Sequence, residues 1–290
     1  MENNGIRINK FLSEAGICSR READGKIENG EITINDRVAT TGDKVMPGDK
    51  VYVNGRPVEK EDEMVLLVLN KPAGIVCTAE KREKNNVIDF MKYPKRIYPI
   101  GRLDKDSEGL LLMTNNGELV NKIMRAGNNH EKEYIVTVNK PVTDSFIRGL
   151  AGGVPLVELN TTTRKCKVEK IANRKFRIIL TQGLNRQIRR MCEYFGYRVE
   201  KLERVRIMNI TLGDLKTGQY REVTPEEYAK LMKLTKESSS APIDYKKRKE
   251  QKMQAKKLQE KKVQEKKPQE KVQEKPHKIY TVGIKNRTGI

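Results

Sequence analysis

The apolar run Met64–Leu69 constrains the fold more than any other segment. It has the length of a β-strand and is apolar at every position, which is typical of a strand buried on both faces. The turn-forming residues of the segment 70–74, Asn-Lys-Pro-Ala-Gly, are expected to end it. The chain is therefore predicted to contain a sheet that is covered on both sides.

The other periodic segments predict an α+β fold. Strands are expected over 133–138, 175–181 and 201–207, and helices over 86–91, 117–125, 144–150, 186–195 and 225–234. These elements do not alternate regularly, which favours a mixed, largely antiparallel sheet over a parallel one. We assign residues 61–236 to this larger domain.

Residues 5–60 form a smaller N-terminal unit. A first helix is indicated by the apolar spacing of Ile6, Ile8, Phe11, Leu12 and Ala15, and Gly16 is expected to end it. Ser19 followed by Glu22 has the pattern of a capping box at the start of a second helix. Short strands are expected over 31–35 and 50–55 because polar and apolar residues alternate there.

The charge of the chain predicts a polyanionic partner. The 290 residues carry a formal net charge of +20, and nucleic acid is the usual partner of so basic a protein. Half of this charge is in the last segment, since residues 236–290 contain 17 basic and 7 acidic side chains. We expect residues 237–290 to be a disordered basic tail. A solvated tail and an electrostatic tether to RNA are both compatible with its composition.

Several classes of protein are disfavoured. No apolar stretch approaches the ~20 residues that span a bilayer, and the N-terminus does not resemble a signal peptide, so we expect a cytoplasmic protein that makes no contact with a membrane. Neither the four cysteines nor the two histidines have the spacing of metal ligands. We expect no metal site and four reduced thiols that are at least half-buried.

A candidate reactive group lies in the segment Gly101–Asn115. Asp104 follows Arg102 by two residues and stands just ahead of the apolar run Leu110–Met113. A carboxylate beside a packed core, with a cation near it, is a candidate nucleophile or base. Taken alone, this arrangement is more often an ion pair than a catalyst.

The same segment resembles the G-R-L-D-x-x-S-x-G-L motif of the RNA pseudouridine synthases. Three further segments resemble motifs of that family in the family's order, namely 70–74, 132–134 and 183–191. Residues 5–60 resemble the S4 RNA-binding domain through Arg7, Lys10, the segment 19–23, Ile27, Gly30, Ile32, Asn35 and the segment 48–51. The resemblance covers roughly residues 6–234 and implies an S4 domain followed by a synthase domain.

The resemblance also implies roles for individual residues. Asp104 would be the catalytic carboxylate, Arg189 the buried arginine that pairs with it, and Tyr134 the ring that stacks on the target base. Arg102 is our candidate for filling the space that a flipped base leaves, and Arg186 and Arg190 would face RNA. No metal or small-molecule cofactor is implied. Attack of Asp104 on C1′ and removal of a sugar proton to give a glycal both remain open.

A cationic RNA-binding face is expected on the S4 unit. It would consist of Arg7, Lys10, Arg20, Arg21 and Lys26, with an ordinary solvated helix surface as the alternative. Residues 127–134 and 201–209 are most similar to family members that modify large-subunit ribosomal RNA. We therefore expect a monomer that acts on a stem-loop of 23S ribosomal RNA near the peptidyl-transferase centre, with a tRNA as a second substrate. The alternatives are a non-catalytic RNA-binding assembly factor and the same enzyme class acting on small-subunit ribosomal RNA.

Overall fold

The computed structural model describes residues 5–59, 63–80 and 82–238. Its helices are α1 (Ile8–Glu14), α2 (Arg20–Glu28), α3 (Val87–Met91), α4 (Gly117–Met124), α5 (Asp144–Gly152), α6 (Gln187–Tyr194) and α7 (Pro225–Leu234). Its strands are β1 (Ile6–Arg7), β2 (Ile32–Ile34), β3 (Arg37–Val38), β4 (Lys44–Val45), β5 (Val51–Val53), β6 (Arg56–Pro57), β7 (Leu66–Lys71), β8 (Tyr98–Ile100), β9 (Glu108–Thr114), β10 (Lys132–Val138), β11 (Pro155–Leu156), β12 (Thr161–Thr162), β13 (Lys167–Ala172), β14 (Lys175–Leu180), β15 (Val199–Ile207), β16 (Ile210–Thr211) and β17 (Tyr220–Glu222).

The N-terminal unit packs α1 and α2 against a small sheet of order β3-β2-β5-β6. The capping box at α2 is present: the Glu22 backbone N–H donates to Ser19 Oγ, and the Ser19 N–H donates to the Glu22 carboxylate. The prediction of a helix beginning at Ile6 is wrong. Ile6 and Arg7 instead form β1, because the pairing of Ile6 with Val45 in β4 holds them extended.

The large sheet has the order β13-β14-β10-β15-β9-β7-β17, with β16 added to β15 and β8 added to β9. Among the described strands, β9 and β15 form the one parallel pair, and the other pairs are antiparallel. The prediction of an α+β fold with a mixed, largely antiparallel sheet is confirmed.

The strands β7 and β9 are covered on both faces. On one face, Val68 and Leu110 pack with residues of α4 and α7, and on the other, Leu67 and Leu111 pack with residues of α3. All six residues of β7 are buried. The prediction that Asn70 and Lys71 end this strand is wrong, since both continue it into the core, where their side chains donate to backbone carbonyls.

A further apolar core lies under the other half of the sheet, where β10, β14 and β15 pack on α5 and α6. The two halves of the sheet meet at the parallel pair. Gly109 pairs there with Arg204, and a Cβ on Gly109 would lie 2.3 Å from the Arg204 carbonyl oxygen. Only glycine allows this approach, and its φ of +97° is one that glycine adopts without strain.

The predicted helices in the larger domain are all present. Helix α7 has the expected bounds, and the other four differ from expectation by one or two residues at an end. The division into units of 5–60 and 61–236 stays a prediction. The predicted disordered tail, 237–290, lies outside the described residues except for Glu237 and Ser238.

Candidate active site

The loop that carries Asp104 is anchored on both sides. Before it, Leu103 is buried in the core beside α3, and its backbone N–H donates to Cys77 Sγ at 3.4 Å. After it, the Ser107 N–H donates to the Asp104 carbonyl, which closes a turn. The position of Asp104 is therefore set by the core and not by its own side-chain contacts.

Lys71 fixes the next part of this loop. Its ammonium is fully buried and donates to the carbonyl oxygens of Pro72, Lys105 and Ser107 at 2.8, 3.4 and 2.7 Å. The Gly74 N–H also donates to the Lys105 carbonyl, at 2.7 Å. Burial lowers the pKa of Lys71, and the nearby acidic groups oppose this shift. The polar end of β7 thus holds the loop 105–107 in place.

Two arginines of the α6 region face two carboxylates of the loop. Arg189 Nε and Arg186 Nη1 each lie 3.7 Å from Asp104 Oδ2. The same guanidinium groups lie 3.6 and 3.7 Å from Asp106 Oδ2. The Arg189 side chain is 8% exposed, whereas that of Asp104 is 29% exposed. Arg189 therefore approaches Asp104 from inside the protein and leaves the carboxylate open to the cleft.

Arg189 is further held by neutral acceptors. Its guanidinium donates to Ser107 Oγ at 3.3 Å and to the carbonyls of Asp106 and Val199 at 3.4 Å. Its Nε is buried and has no hydrogen-bond partner within the described residues. These contacts orient the arginine along the loop that bears Asp104.

Helix α6 begins with a left-handed residue. Arg186 is its N-cap, with φ +49° and ψ +35° and no side-chain capping bond. Such a conformation is rare for a residue with a Cβ and is often found at functional sites. This conformation places Arg186 against Asp104. The sequence analysis did not predict this contact, because Arg186 was expected to face RNA. Arg190 pairs with Glu158 and donates to the Asn185 carbonyl.

A cleft of about 510 Å³ opens beside Asp104. Tyr134 and Arg186 line it, and so does Arg102, which is exposed. Tyr134 is half-buried and packs on the apolar cores of both halves of the sheet. Tyr134 belongs to a different motif from Arg102 and Asp104, and all three residues share this one cavity.

Three further polar side chains line this cleft and were missed by the sequence analysis. Lys132, Gln182 and Arg204 are 4%, 8% and 1% exposed. Burial and the charge of Arg204 lower the pKa of Lys132 to about 8. Lys132 begins the segment 132–134, which resembles a motif of the family, but nothing in the sequence indicates that its ammonium is buried.

The basic residues predicted on the S4 unit differ in their surroundings. Arg7, Arg20 and Arg21 are exposed. Lys10 lies 3.5 Å from Glu14 and 3.4 Å from Glu118, and Lys26 lies 2.7 Å from Glu31, whose hydrogen bond raises the pKa of Lys26. The three arginines are thus the more accessible members of the predicted RNA-binding face.

Metal-ligand clusters and membrane-spanning helices are both absent from residues 5–59, 63–80 and 82–238. No group of three or more His, Cys, Asp or Glu side chains in these ranges is arranged to hold a metal ion. No helix there has the length and apolar character needed to cross a membrane. Cys18, Cys77 and Cys192 are buried and Cys166 is half-buried, all as free thiols.

Two family models match this chain. Residues 65–194 match the RNA pseudouridylate synthase model, and residues 6–51 match the S4 domain model. A solved structure described as a pseudouridylate synthase superposes with a TM-score of 0.58 at 28% identity, covering 78% of this chain and 99% of that one.

Curated relatives support the same assignment over most of the chain. The dual-specificity RNA pseudouridine synthase RluF of Escherichia coli K12 is 57% identical over 242 residues, which is 83% of each chain. The ribosomal large subunit pseudouridine synthase B of Bacillus subtilis is 38% identical, over 81% of this chain and 99% of that protein. This chain therefore belongs to the RNA pseudouridine synthases and carries an S4 domain ahead of its catalytic domain.

Proposed function

We propose that this enzyme isomerises a specific uridine in 23S ribosomal RNA, with Asp104 as the catalytic carboxylate. The observation that carries the proposal is the position of Asp104. It is open to a cleft of about 510 Å³ while the buried Arg189 approaches it from behind at 3.7 Å. A guanidinium at this distance orients the carboxylate and leaves its open side facing the cleft.

The reaction rearranges one nucleotide. The C1′–N1 bond breaks, the uracil turns, a C1′–C5 bond forms, C5 loses its proton and N1 gains one. Substrate and product have the same atoms, so the residues need only position the base and stabilise charge. Attack of Asp104 on C1′ and removal of a sugar proton by Asp104 both start from a carboxylate that Arg189 holds in position.

Tyr134 and Arg102 are proposed to manage the flipped nucleotide. Tyr134 lines the cleft and is supported by the cores beneath it, which suits a ring that stacks on the target base. Extracting a base from a stem costs a few kcal/mol. The exposed Arg102 is placed to fill the vacated position, and normal turnover of a stem substrate by Arg102→Ala would contradict this role.

The RNA substrate is proposed from the S4 unit and from the relatives. Arg7, Arg20 and Arg21 are exposed cations on that unit and offer charges for phosphate contacts. Two of the relatives are named as a dual-specificity RNA synthase and a large-subunit ribosomal synthase. We propose 23S ribosomal RNA as the main substrate and a tRNA as the second. We further propose a cytoplasmic enzyme, because ribosomal RNA and tRNA are cytoplasmic substrates, and a monomer, because one chain supplies Asp104, Tyr134 and Arg189.

The proposal is tested with transcripts of 23S ribosomal RNA, 16S ribosomal RNA and tRNA that carry tritium at uridine C5. Release of label is expected from 23S RNA first and from tRNA more slowly. An Arg20→Gln/Arg21→Gln variant should lower the efficiency on 23S RNA, with Lys175→Gln, which removes an exposed lysine elsewhere, as the control. Release from 16S RNA alone would contradict the assignment of substrate.

A further inference from the structure

Three hydrogen-bond donors in the cleft are unused by the mechanism above. Lys132 Nζ makes one bond, to the His130 carbonyl at 2.9 Å. Arg204 Nε donates to the Leu110 carbonyl at 2.7 Å, but its buried Nη2 has no partner within the described residues. Gln182 Nε2 is likewise buried and without a partner there. Buried donors are nearly always satisfied, so three with spare capacity in one cleft need an explanation.

The charges of this group are also uncompensated. Lys132 and Arg204 are close enough for the charge of Arg204 to lower the pKa of Lys132. Within the described residues, neither forms an ion pair with a carboxylate. Two adjacent buried cations destabilise the folded protein, and an electron-rich ligand in the cleft would relieve that cost.

The position of the group indicates which ligand atoms it meets. Lys132 precedes Tyr134 by two residues on β10, so their side chains share one face of the strand, and Arg204 on β15 pairs with Tyr134. Lys132 and Arg204 are therefore next to the ring on which the target base is proposed to stack, and Gln182 lines the same cleft. Uracil presents two carbonyl oxygens as acceptors, whereas the backbone phosphates of a flipped nucleotide lie beyond the sugar.

We propose that Lys132, Gln182 and Arg204 form a subsite for the uracil carbonyl oxygens, and that Lys132 stabilises the negative charge that develops on them. This inference rests on the proposed function. The C1′–N1 bond breaks either when Asp104 attacks C1′ or when the uracil is eliminated from the sugar. In both cases the electron pair of that bond goes to the uracil and delocalises onto O2 and O4. Lys132 donates a hydrogen bond and keeps its proton. The C5 proton passes to water after the C1′–C5 bond forms, and N1 takes up a proton from water.

The first test compares Lys132→Met and Lys132→Arg with wild type in single-turnover reactions. Lys132→Met should lower the rate about 100-fold, the usual effect of losing one donor to a developing oxyanion, and Lys132→Arg should recover part of it. RNA affinity should stay within about threefold of wild type, because this substitution removes no contact with a phosphate. Lys175→Met is the control for loss of a lysine charge, and it should react at the wild-type rate.

The second test replaces O2 or O4 of the target uridine by sulfur, a weaker acceptor. At least one thio-substrate should slow wild type about tenfold more than it slows Lys132→Met, which is the coupling expected for a direct contact. Equal thio effects in both proteins would overturn the proposal. So would a loss of RNA affinity with an unchanged single-turnover rate, which would indicate a phosphate contact. Turnover by wild type in the same experiment would show that the proposed function still holds when either result overturns the subsite.

The third test needs no variant. His130 precedes Lys132 on the chain and accepts its hydrogen bond through the backbone carbonyl. The charged and titratable groups that line the cleft with Lys132 are Cys77, Arg102, Asp104, Lys105, Tyr134, Arg186 and Arg204. Burial and the charge of Lys132 lower the pKa of His130 from its usual value, away from the alkaline range. The wild-type rate at subsaturating RNA, which reports on the free enzyme, should therefore fall as the pH rises through about 8. A rate that does not fall up to pH 10 would contradict the role of the ammonium.

Discussion

Replacement of Gly109 by alanine should separate the two halves of the large sheet. Gly109 has a φ of +97°, and the added Cβ would lie 2.3 Å from the carbonyl oxygen, 2.8 Å from the nitrogen and 3.0 Å from the carbonyl carbon of Arg204. All three are backbone atoms of a paired strand, so no change of rotamer can remove the clash. Strand β9 must move away from β15.

The cost follows from two contributions. A left-handed backbone with a Cβ costs roughly 1–2 kcal/mol, and overpacking of a close contact costs typically about 1–3 kcal/mol. Gly109→Ala should therefore lower the free energy of unfolding by about 2–5 kcal/mol, a large share of the roughly 5–15 kcal/mol of a typical domain. Because Asp104 precedes β9 in the same motif, a shift of the strand displaces it, and a displacement of ~1 Å can cost about 100-fold in rate.

Urea denaturation and turnover at low temperature measure both effects. Gly152→Ala is the matched control, since Gly152 ends α5, has nothing within 4 Å of an added Cβ and lies outside the left-handed region. The control should unfold within about 0.5 kcal/mol of wild type, as ordinary surface substitutions do. If Gly109→Ala unfolds at the wild-type midpoint and turns over normally, the close approach of β9 to β15 does not support the site.

Three further predictions concern other parts of the chain. Lys71→Met should destabilise the protein by about 3 kcal/mol or more in urea, because it leaves carbonyls of the loop 105–107 without their donor; a loss below about 1 kcal/mol would contradict this role. Burial lowers the pKa of Lys132 to about 8 in the folded protein. Between pH 8 and 10.5 the unfolded state therefore binds more protons, and stability rises with pH by up to about 3 kcal/mol in all. Parallel curves of stability against pH for wild type and Lys132→Met would refute this. Removal of residues 241–290 should reduce the salt dependence of RNA binding, and an unaltered slope would show that the tail does not contact RNA.

The elements predicted correctly are those with local signals. Helix α7 has Pro225 at its start and a Thr224–Glu227 capping box, and α2 has its own box at Ser19 and Glu22. Strand β7 is apolar at its first four positions. In each case the residues that determine the element lie within it or beside it.

The elements and contacts that were missed depend on distant partners. Strand β13 is an edge strand with mostly exposed side chains, so it has no apolar signature. Lys71 continues β7 because its ammonium finds acceptors in the loop 105–107, which is remote in sequence. Arg189 was identified from the sequence only through the resemblance to the family. The contact of Arg186 with Asp104 depends on the left-handed backbone of Arg186, which no local sequence pattern indicates.

We propose that Asp104, and not its neighbour Asp106, performs the chemistry. Both carboxylates lie 3.6–3.7 Å from the same two guanidinium groups, but Asp106 is 60% exposed and is absent from the lining of the cleft. Tritium release from 23S ribosomal RNA should be abolished in Asp104→Asn, with RNA affinity unchanged within about threefold, since no phosphate contact is lost. Asp106→Asn should retain activity. Release of label by Asp104→Asn, or an equal loss in both variants, would contradict the account.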